Sequence, residues 1–320
     1  MADIDDTRES TYKTRIKDGY LVDFLKAHYG KQIGNIISLK GGEVSQAYSF
    51  DTPDGGYIIR VNRHGTDGFK KDNYAFLNFR SDALPIPKVI EIGQIDDTYS
   101  FALAKRSEGS TMKSLIAAAK RDKQPLPDFP TVCLKTLDAI HATDISKTEG
   151  FGSWNTMGQA NKTSWREFIM SIGKEGWWAE MFRTTFLEEG LYTSLYERLG
   201  QLIEFCPEQR YLIHGDFGLN NILFDGKNVT GVTDWADSKY GDFVYDAAWL
   251  SFWPSEYDFT TLCIKHYAKK VVINYEKRLL CYQIHIALTM LSFYAKSIQK
   301  EKYDWTKKRI EELMRIGRAY

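Results

Sequence analysis

Three side chains between positions 212 and 235 have the types and spacing to hold a metal ion beside an attacking hydroxyl. In "LIHGDFGLNN", Asp216 lies in a glycine-flanked turn after an apolar run, and Asn221 follows five positions later. Asp234, in "VTDW", closes the next strand-like run. "DGKN" between them reads as a hairpin turn, which folds Asn221 back opposite the residues preceding Asp234. An amide oxygen and a carboxylate suit Mg²⁺, a hard ion that keeps several waters and takes its other ligands from substrate phosphates. Asp216, kept off the ion, would accept a hydrogen bond from a hydroxyl and align it for phosphoryl transfer. Gly215 allows a close chain approach, and His214 could hold the turn through a backbone or carboxylate contact. The competing reading makes Asp216 and Asn221 local turn caps.

Those residues need strands and a cleft to meet. From Asp18, "DGYLVDFLKAHYG" puts Tyr20, Leu21, Phe24 and Leu25 on one helical face and ends at Gly30, a C-cap. "NIISLKGGEVSQAYSFDTPDGGYIIRVN" alternates β-rich runs with the turns "GGE" and "PDGG", predicting three antiparallel strands up to Asn62. A short helix over 68–79 follows, and "IPKVIEIG" and "TYSFALAKR" complete a sheet of about five strands with one helix laid against it. The small polar run "SEGST" (107–111) is the expected hinge. The fold class is therefore α+β: an N-terminal lobe, 1–106, built on an antiparallel sheet, and a mainly helical C-terminal lobe, 107–320. Asp216, Asn221 and Asp234 sit on the one β island of the second lobe.

The chain has 320 residues, 43% of them hydrophobic, with 42 Lys plus Arg against 42 Asp plus Glu. It can bury one large core or two modest ones, and it has no net field to gather nucleic acid or coat an anionic membrane. Cys133, Cys206, Cys263 and Cys281 form no CxxC pair and read as ordinary thiols in a reducing compartment. "MADIDDTRES" lacks an apolar leader core, and no run reaches the ~18 apolar residues of a membrane span. The expectation is a soluble, cytoplasmic protein without nucleic-acid or membrane partners, its oligomeric state left open.

"HGDFGLNN" followed by "VTDW" resembles the catalytic and metal-binding loops of the aminoglycoside phosphotransferase family, whose fold is that of protein kinases. "EVSQAYSFD", "YIIRVN", "ALPIP", "TSWREFI", "CPEQRYLIHGDFGLNNIL" and "DWADSKYGD" are similar to its other stretches, in order. The resemblance runs from about residue 20 to 255 and implies the catalytic aspartate at Asp216, Mg²⁺ ligands at Asn221 and Asp234, and His214 opening the catalytic loop. Where kinases carry a phosphate-binding lysine on the third strand, this chain has Arg60, whose guanidinium also bridges phosphate oxygens. Asp72 best matches the acid that orients it. The bland readings are an exposed strand cation and a solvated helix carboxylate. "GGEVSQAY" is not GxGxxG, so the amides at Gly41 and Gly42 and the Ser45 hydroxyl would cover the phosphates of ATP or GTP; a plain hairpin turn is the alternative. The hinge from Lys105 to Ser107 would offer backbone groups to the purine.

The acceptor implied is a hydroxyl of hygromycin B or a related aminoglycoside or aminocyclitol, phosphorylated as a means of antibiotic resistance. A polycation needs carboxylates near Asp216, and among Asp237, Asp242, Glu256 and Asp258 the reading singles out Asp237 and Glu256. Trp235, next to the metal aspartate, is expected to line the cleft, where an indole can stack on a sugar or a cation. His141 reads as a core or capping histidine, and Asp242 and Asp246 as helix caps that brace the catalytic loop. The alternatives are a kinase of choline, homoserine or a sugar, and a nucleotide-binding module without turnover.

Overall fold

Gly30 ends the first helix as its spacing predicts: α1 spans Asp18–Tyr29, and Gly30, at φ +89°, donates its amide to the Lys26 carbonyl at 3.1 Å. The structure is a computed structural model that describes residues 12–316 except 31, 40, 174–177, 269 and 271; the acidic N-terminal decapeptide and Trp177 lie outside the described residues. Three strands follow, β1 (Gly34–Leu39), β2 (Gln46–Thr52) and β3 (Gly55–Asn62), then α2 (Asp67–Phe79), β4 (Val89–Gln94) and β5 (Ser100–Lys105). The sheet is antiparallel in the order β1-β2-β3-β5-β4.

The helix that closes this sheet's core is α1, while α2 meets the sheet at its edge strand β4. Leu21 and Leu25 of α1 pack with Tyr48, Phe50, Ile59, Val61, Phe101 and Leu103 in one small core. Ala75 and Phe79, one turn apart on α2, belong instead to the large core of the helical lobe. Phe79 meets Trp154 edge-on with centroids 6.0 Å apart and lies 6.5 Å from Trp235. Ala75 and Phe79 of α2 thus serve the helical lobe while Phe69 stays beside Arg60 of β3, a division its amphipathic pattern alone could not reveal.

The segment after β5 is less free than a linker. Ser110 and Thr111 form β6, paired with Phe224 and Leu223 of a later strand. Gly109, at φ +82°, lies so close to that strand that a Cβ would sit 2.1 Å from the Phe224 oxygen. Helices α3 (Met112–Arg121) and α4 (Phe129–His141) follow, then a hairpin of β7 (Phe151–Trp154) and β8 (Ala160–Lys162) that the sequence reading did not anticipate. Its strands are too short to show alternation. It forms because Gly150 and Gly152 take positive φ where side chains would strike the Ala160 oxygen and the Phe168 ring.

The helical lobe continues with α5 (Trp165–Met170), α6 (Trp178–Thr184) and α7 (Glu189–Leu202). The expected β island follows as β9 (Tyr211–Ile213), β10 (Ile222–Phe224), β11 (Val229–Val232) and β12 (Lys239–Gly241), and the lobe closes with α8 (Val244–Phe252), α9 (Phe259–Ala268), α10 (Tyr275–Lys296) and α11 (Lys300–Ile316). The island divides between two sheets, β11-β10-β6 and β8-β7-β12-β9. The catalytic-loop sequence runs from β9 to β10, and the Asp234 segment from β11 to β12. No described helix is long and apolar enough to cross a membrane, and all four cysteines are free thiols.

Candidate active site

The turn after β9 is held from below by one buried carboxylate. Asp246 of α8 accepts the His214 amide at 3.0 Å and the Gly215 amide at 2.8 Å, and His141 Nε2 lies 3.1 Å from it. Burial on its own would raise this carboxyl, but the His141 contact, the nearby histidines and the Gly215 amide hold it below the usual range. His214 accepts the Asp216 amide at Nδ1, 3.3 Å, which leaves Nε2 to donate to the Thr233 carbonyl at 3.0 Å. Burial lowers its pKa, so the ring stays neutral and ties the Asp216 turn to the strand leading into Asp234. Asp242 is braced in the same way: it accepts the Val244 amide at 3.2 Å, two bonds from Arg278, and the Tyr282 hydroxyl at 2.6 Å.

The hairpin brings the candidate metal residues together. Asp225 Oδ1 accepts the Lys227 and Asn228 amides, both at 2.7 Å, closing the "DGKN" turn. Ile222 then pairs with Val232, and the Thr233 amide donates to the Asn221 carbonyl at 2.9 Å, one residue before Asp234. Asn221 Nδ2 donates to the Asp216 carbonyl at 2.8 Å and to its carboxylate at 3.0 Å. The Asn221 amide oxygen is thus directed away from Asp216; it accepts Asn220 Nδ2 at 3.2 Å and keeps a second lone pair for an ion. Asp234 has φ +68°, a left-handed conformation that aspartate tolerates better than most residues. Its side chain is 49% exposed. The protein crowded round it, then Asp72 and Asp237, outweigh Arg60 and lift its carboxyl to about 6. Asp216 is pushed well above the usual range by burial and then by Asp234 and Asp237, against the Asn221 hydrogen bond and Lys239.

This charge pattern fits a divalent cation. The site holds the carboxylates of Asp72, Asp216, Asp234, Asp237 and Asp246 against Arg60, Lys71 and Lys239, an excess of two negative charges when all are ionised. Among the described residues no cluster of three or more His, Cys, Asp or Glu side chains could cage a metal by itself. That suits an ion completed by phosphate and water oxygens.

Arg60, on β3, reaches across to the second lobe. Its guanidinium donates to Asp72, lies 3.9 Å from Asp234, and sits over the Phe69 ring at 5.2 Å. Asp72 is buried and also accepts the Trp235 amide at 2.7 Å, so one carboxylate fixes both Arg60 and the residue after Asp234. Sequence reasoning missed two lysines beside it. Lys71 donates to the Ala236 carbonyl and to Ser238 at 3.3 Å, and Lys239 to the Asp237 carbonyl at 2.5 Å. Lys71, "KKD" in the chain, looks like a surface helix residue; only the docking of α2 buries it.

The remaining expectations fare differently. Trp235 does not line the cleft: it is fully buried, its indole donating to the Val232 carbonyl at 3.0 Å, because the tight turn after Asp234 points it into the large core. Glu256 is ion-paired with Lys120 of α3. Asp258 caps the Thr261 amide at 3.1 Å, and Asp242 is wholly buried. Asp237 is exposed, and among the described residues its carboxylate has no hydrogen-bond donor. In the hinge, the Lys105 and Arg106 amides donate to Lys88 and Gly56, whereas the Ser107 amide has no such partner among the described residues. Gly41 and Gly42 take φ +114° and +74°, and Ser45 is half-buried at the end of their loop. That loop is tied to the N-terminal segment by the Thr14 amide on the Val44 carbonyl, 2.8 Å, and to α11 by Lys302 on Glu43, 2.5 Å.

Comparison with known proteins completes the description. Residues 35–262 match the model of the phosphotransferase enzyme family. Hygromycin-B 4-O-kinase from Escherichia coli is 36% identical over 224 residues, which is 69% of this chain and 63% of that protein's length. The crystal structure of aminoglycoside phosphotransferase APH(4)-Ia superposes with a TM-score of 0.80 at 29% identity, covering 93% of this chain and 99% of that one. A thermostable mutant of that enzyme in ternary complex with AMP-PNP and hygromycin B also gives 0.80, covering 92% and 98%.

Proposed function

The chain belongs to the phosphotransferase enzyme family, and we propose that it transfers the terminal phosphoryl group of ATP or GTP to a hydroxyl of hygromycin B or a related aminocyclitol antibiotic. The observation that carries this reading is the arrangement of Asp216, Asn221 and Asp234. Asn221 uses its amide N–H on Asp216 and turns its oxygen, shared with Asn220 Nδ2, away from it toward an ion, so the acid would stay off the metal and face an acceptor. The similarity to a hygromycin-B 4-O-kinase and to an enzyme crystallised with hygromycin B supports the choice of acceptor.

Asn221 and Asp234 would hold Mg²⁺, which when bound neutralises phosphate charge and templates the transfer. Arg60, oriented by Asp72, would contact the phosphates; Gly42 and Ser45 would cover them; the Ser107 amide beside Lys105 would meet the purine. These assignments divide the chain at the 105–107 hinge into a nucleotide-binding lobe and an acceptor lobe. Asp216 would accept the acceptor hydroxyl's hydrogen bond and take its proton as the new O–P bond forms, while His214 holds the turn without touching substrate. In such a transfer positioning and charge stabilisation supply most of the rate. Asp237, exposed and unpaired, would receive an ammonium of the acceptor; Glu256, paired with Lys120, is the weaker partner.

The test is nucleoside diphosphate release, with Mg²⁺, by the purified chain offered hygromycin B, other aminoglycosides, choline and small sugars. Release with hygromycin B that disappears in Asp216→Ala, with nucleotide binding retained, is the expected result. Turnover of choline or a sugar alone would replace the acceptor, and wild-type turnover by Asp216→Ala would remove that residue from the mechanism.

A further inference from the structure

The segment 236–238 follows the candidate metal aspartate and carries the exposed Asp237, yet it has no regular secondary structure. Beyond the Ser238 amide and hydroxyl on the Trp235 carbonyl, two buried ammonium groups hold it. Lys71 comes from α2 and bonds the Ala236 and Ser238 carbonyls; its ammonium lies 4.4 Å from the centroid of the Trp154 ring. Lys239 begins β12, bonds the Asp237 carbonyl, and lies 5.2 Å from the Tyr245 ring. Both lysines are only 7% exposed. The contact is close on the catalytic side as well. A Cβ added to Gly215, next to Asp216, would meet the Asp237 carbonyl at 2.1 Å and the Lys239 ammonium at 2.7 Å.

Burying two like charges side by side is unfavourable: each ammonium is desolvated, and the Lys239 charge adds to the burial that brings Lys71 down to about 8. Mere packing of this space would be better served by an apolar side chain. What the ammoniums provide is a set of donors to three consecutive carbonyls. With those carbonyls held inward, the Asp237 side chain is left outside, where it acts electrostatically on both Asp216 and Asp234.

We infer that Lys239, together with Lys71, is a positioning residue for acceptor specificity: the pair clamps the 236–238 backbone so that the Asp237 carboxylate stands beside Asp216 to receive an ammonium group of the acceptor. The inference rests on the phosphotransferase reading above and deepens it by assigning the residue that selects a cationic acceptor. Neither lysine touches the reacting atoms. Their effect on acceptor binding runs through Asp237, while the Lys239 charge also lowers the Asp216 carboxyl directly.

The experiment compares full-length wild type with Lys239→Met, Asp237→Asn and the double variant, using hygromycin B and Mg-ATP. Asp237→Asn should raise the acceptor KM roughly tenfold, the loss of one charge-assisted contact. Lys239→Met should do nearly the same, the double variant no more than either alone, and the nucleotide KM should move less than about twofold. Additive effects on the acceptor KM, or a Lys239→Met variant with a lower melting temperature and an unchanged KM, would overturn the inference. Amide hydrogen exchange over residues 234–240 gives a readout that needs no turnover. Faster exchange in Lys239→Met supports the clamp even where hygromycin B proves not to be the acceptor, and wild-type protection there refutes it whatever the acceptor is. If a neutral acceptor is turned over instead, with a KM insensitive to Asp237→Asn, the specificity role fails.

Discussion

Asp246 carries a larger share of the catalytic loop than its place outside the reacting groups suggests, and replacing it separates loop geometry from chemistry. Its carboxylate is fully buried and takes the His214 amide, the Gly215 amide and His141. Asp246→Asn keeps the shape but offers one oxygen where there were two, so at least one backbone amide faces an NH₂ group. A buried donor without an acceptor costs about 1–3 kcal/mol, and the surviving bonds lose their charge assistance, so we expect a loss of about 3 kcal/mol. Asp246→Ala removes all three contacts and should cost about 4 kcal/mol. At about 2–4 °C per kcal/mol, Asn should lower the melting temperature by roughly 6–12 °C. The turn bearing Asp216 then shifts, and a displacement of about 1 Å is enough for a ~100-fold fall in kcat. The nucleotide KM should hardly change, because Arg60, Asn221 and Asp234 do not contact Asp246. The pH dependence follows from the lowered carboxyl: its stabilisation is fully present above the ordinary carboxylate range and is lost as the pH falls through the depressed folded value. Thermal unfolding and steady-state kinetics on one preparation provide the check. Wild-type melting temperature and kcat in Asp246→Asn would refute the bracing argument, and an equal rise in nucleotide KM would show a general collapse rather than a displaced loop.

Three further outcomes follow from individual contacts. Arg60→Lys gives up the guanidinium that serves Asp72 and reaches toward Asp234, so nucleotide affinity should fall about tenfold, near 1.4 kcal/mol; an unchanged dissociation constant by calorimetry would take Arg60 off the phosphates. His285, pressed to about 3 by burial and then by Lys239, is neutral when folded but takes a proton near 6.5 when unfolded. It therefore contributes stability above pH 6.5 that drains by about 1.4 kcal/mol per pH unit on the way down to 3, and His285→Phe should flatten that slope in urea unfolding; an equally steep slope would contradict it. Gly109→Ala puts a methyl against the Phe224 oxygen at φ +82° and should cost about 2–3 kcal/mol; denaturant unfolding with an unchanged midpoint would mean the hinge is not pinned there.

What could be read from the chain was whatever depends on neighbours in sequence. The Gly30 cap, the five-stranded sheet and the hairpin that returns Asn221 toward Asp234 each rest on turn residues within a few positions of the strands or helix they join. The reading failed where a long-range contact decides the outcome. Trp235 sits beside Asp234 in sequence, but burial against α2 and the helical lobe removes it from the cleft. Glu256 looks like a free acid until α3 brings Lys120 to it. The β7–β8 hairpin is built by close approaches at Gly150 and Gly152 that no periodicity records.

The most consequential of these hidden contacts is the allegiance of α2. Its apolar residues Ala75 and Phe79 are part of the helical lobe's core, whereas Arg60 stands on the sheet whose separate core is closed by α1. Asp72 is therefore fixed relative to Trp235 and the Asp234 turn, and Arg60 is the group brought to it from the other body. The Arg60–Asp72 pair is in consequence a contact between two cores rather than an internal brace of one lobe. A change in the angle between sheet and helical lobe would alter this pair, 3.9 Å from the carboxylate proposed to hold the metal. The phosphate contact proposed for Arg60 and the orientation of the lobes would thereby be joined through one guanidinium.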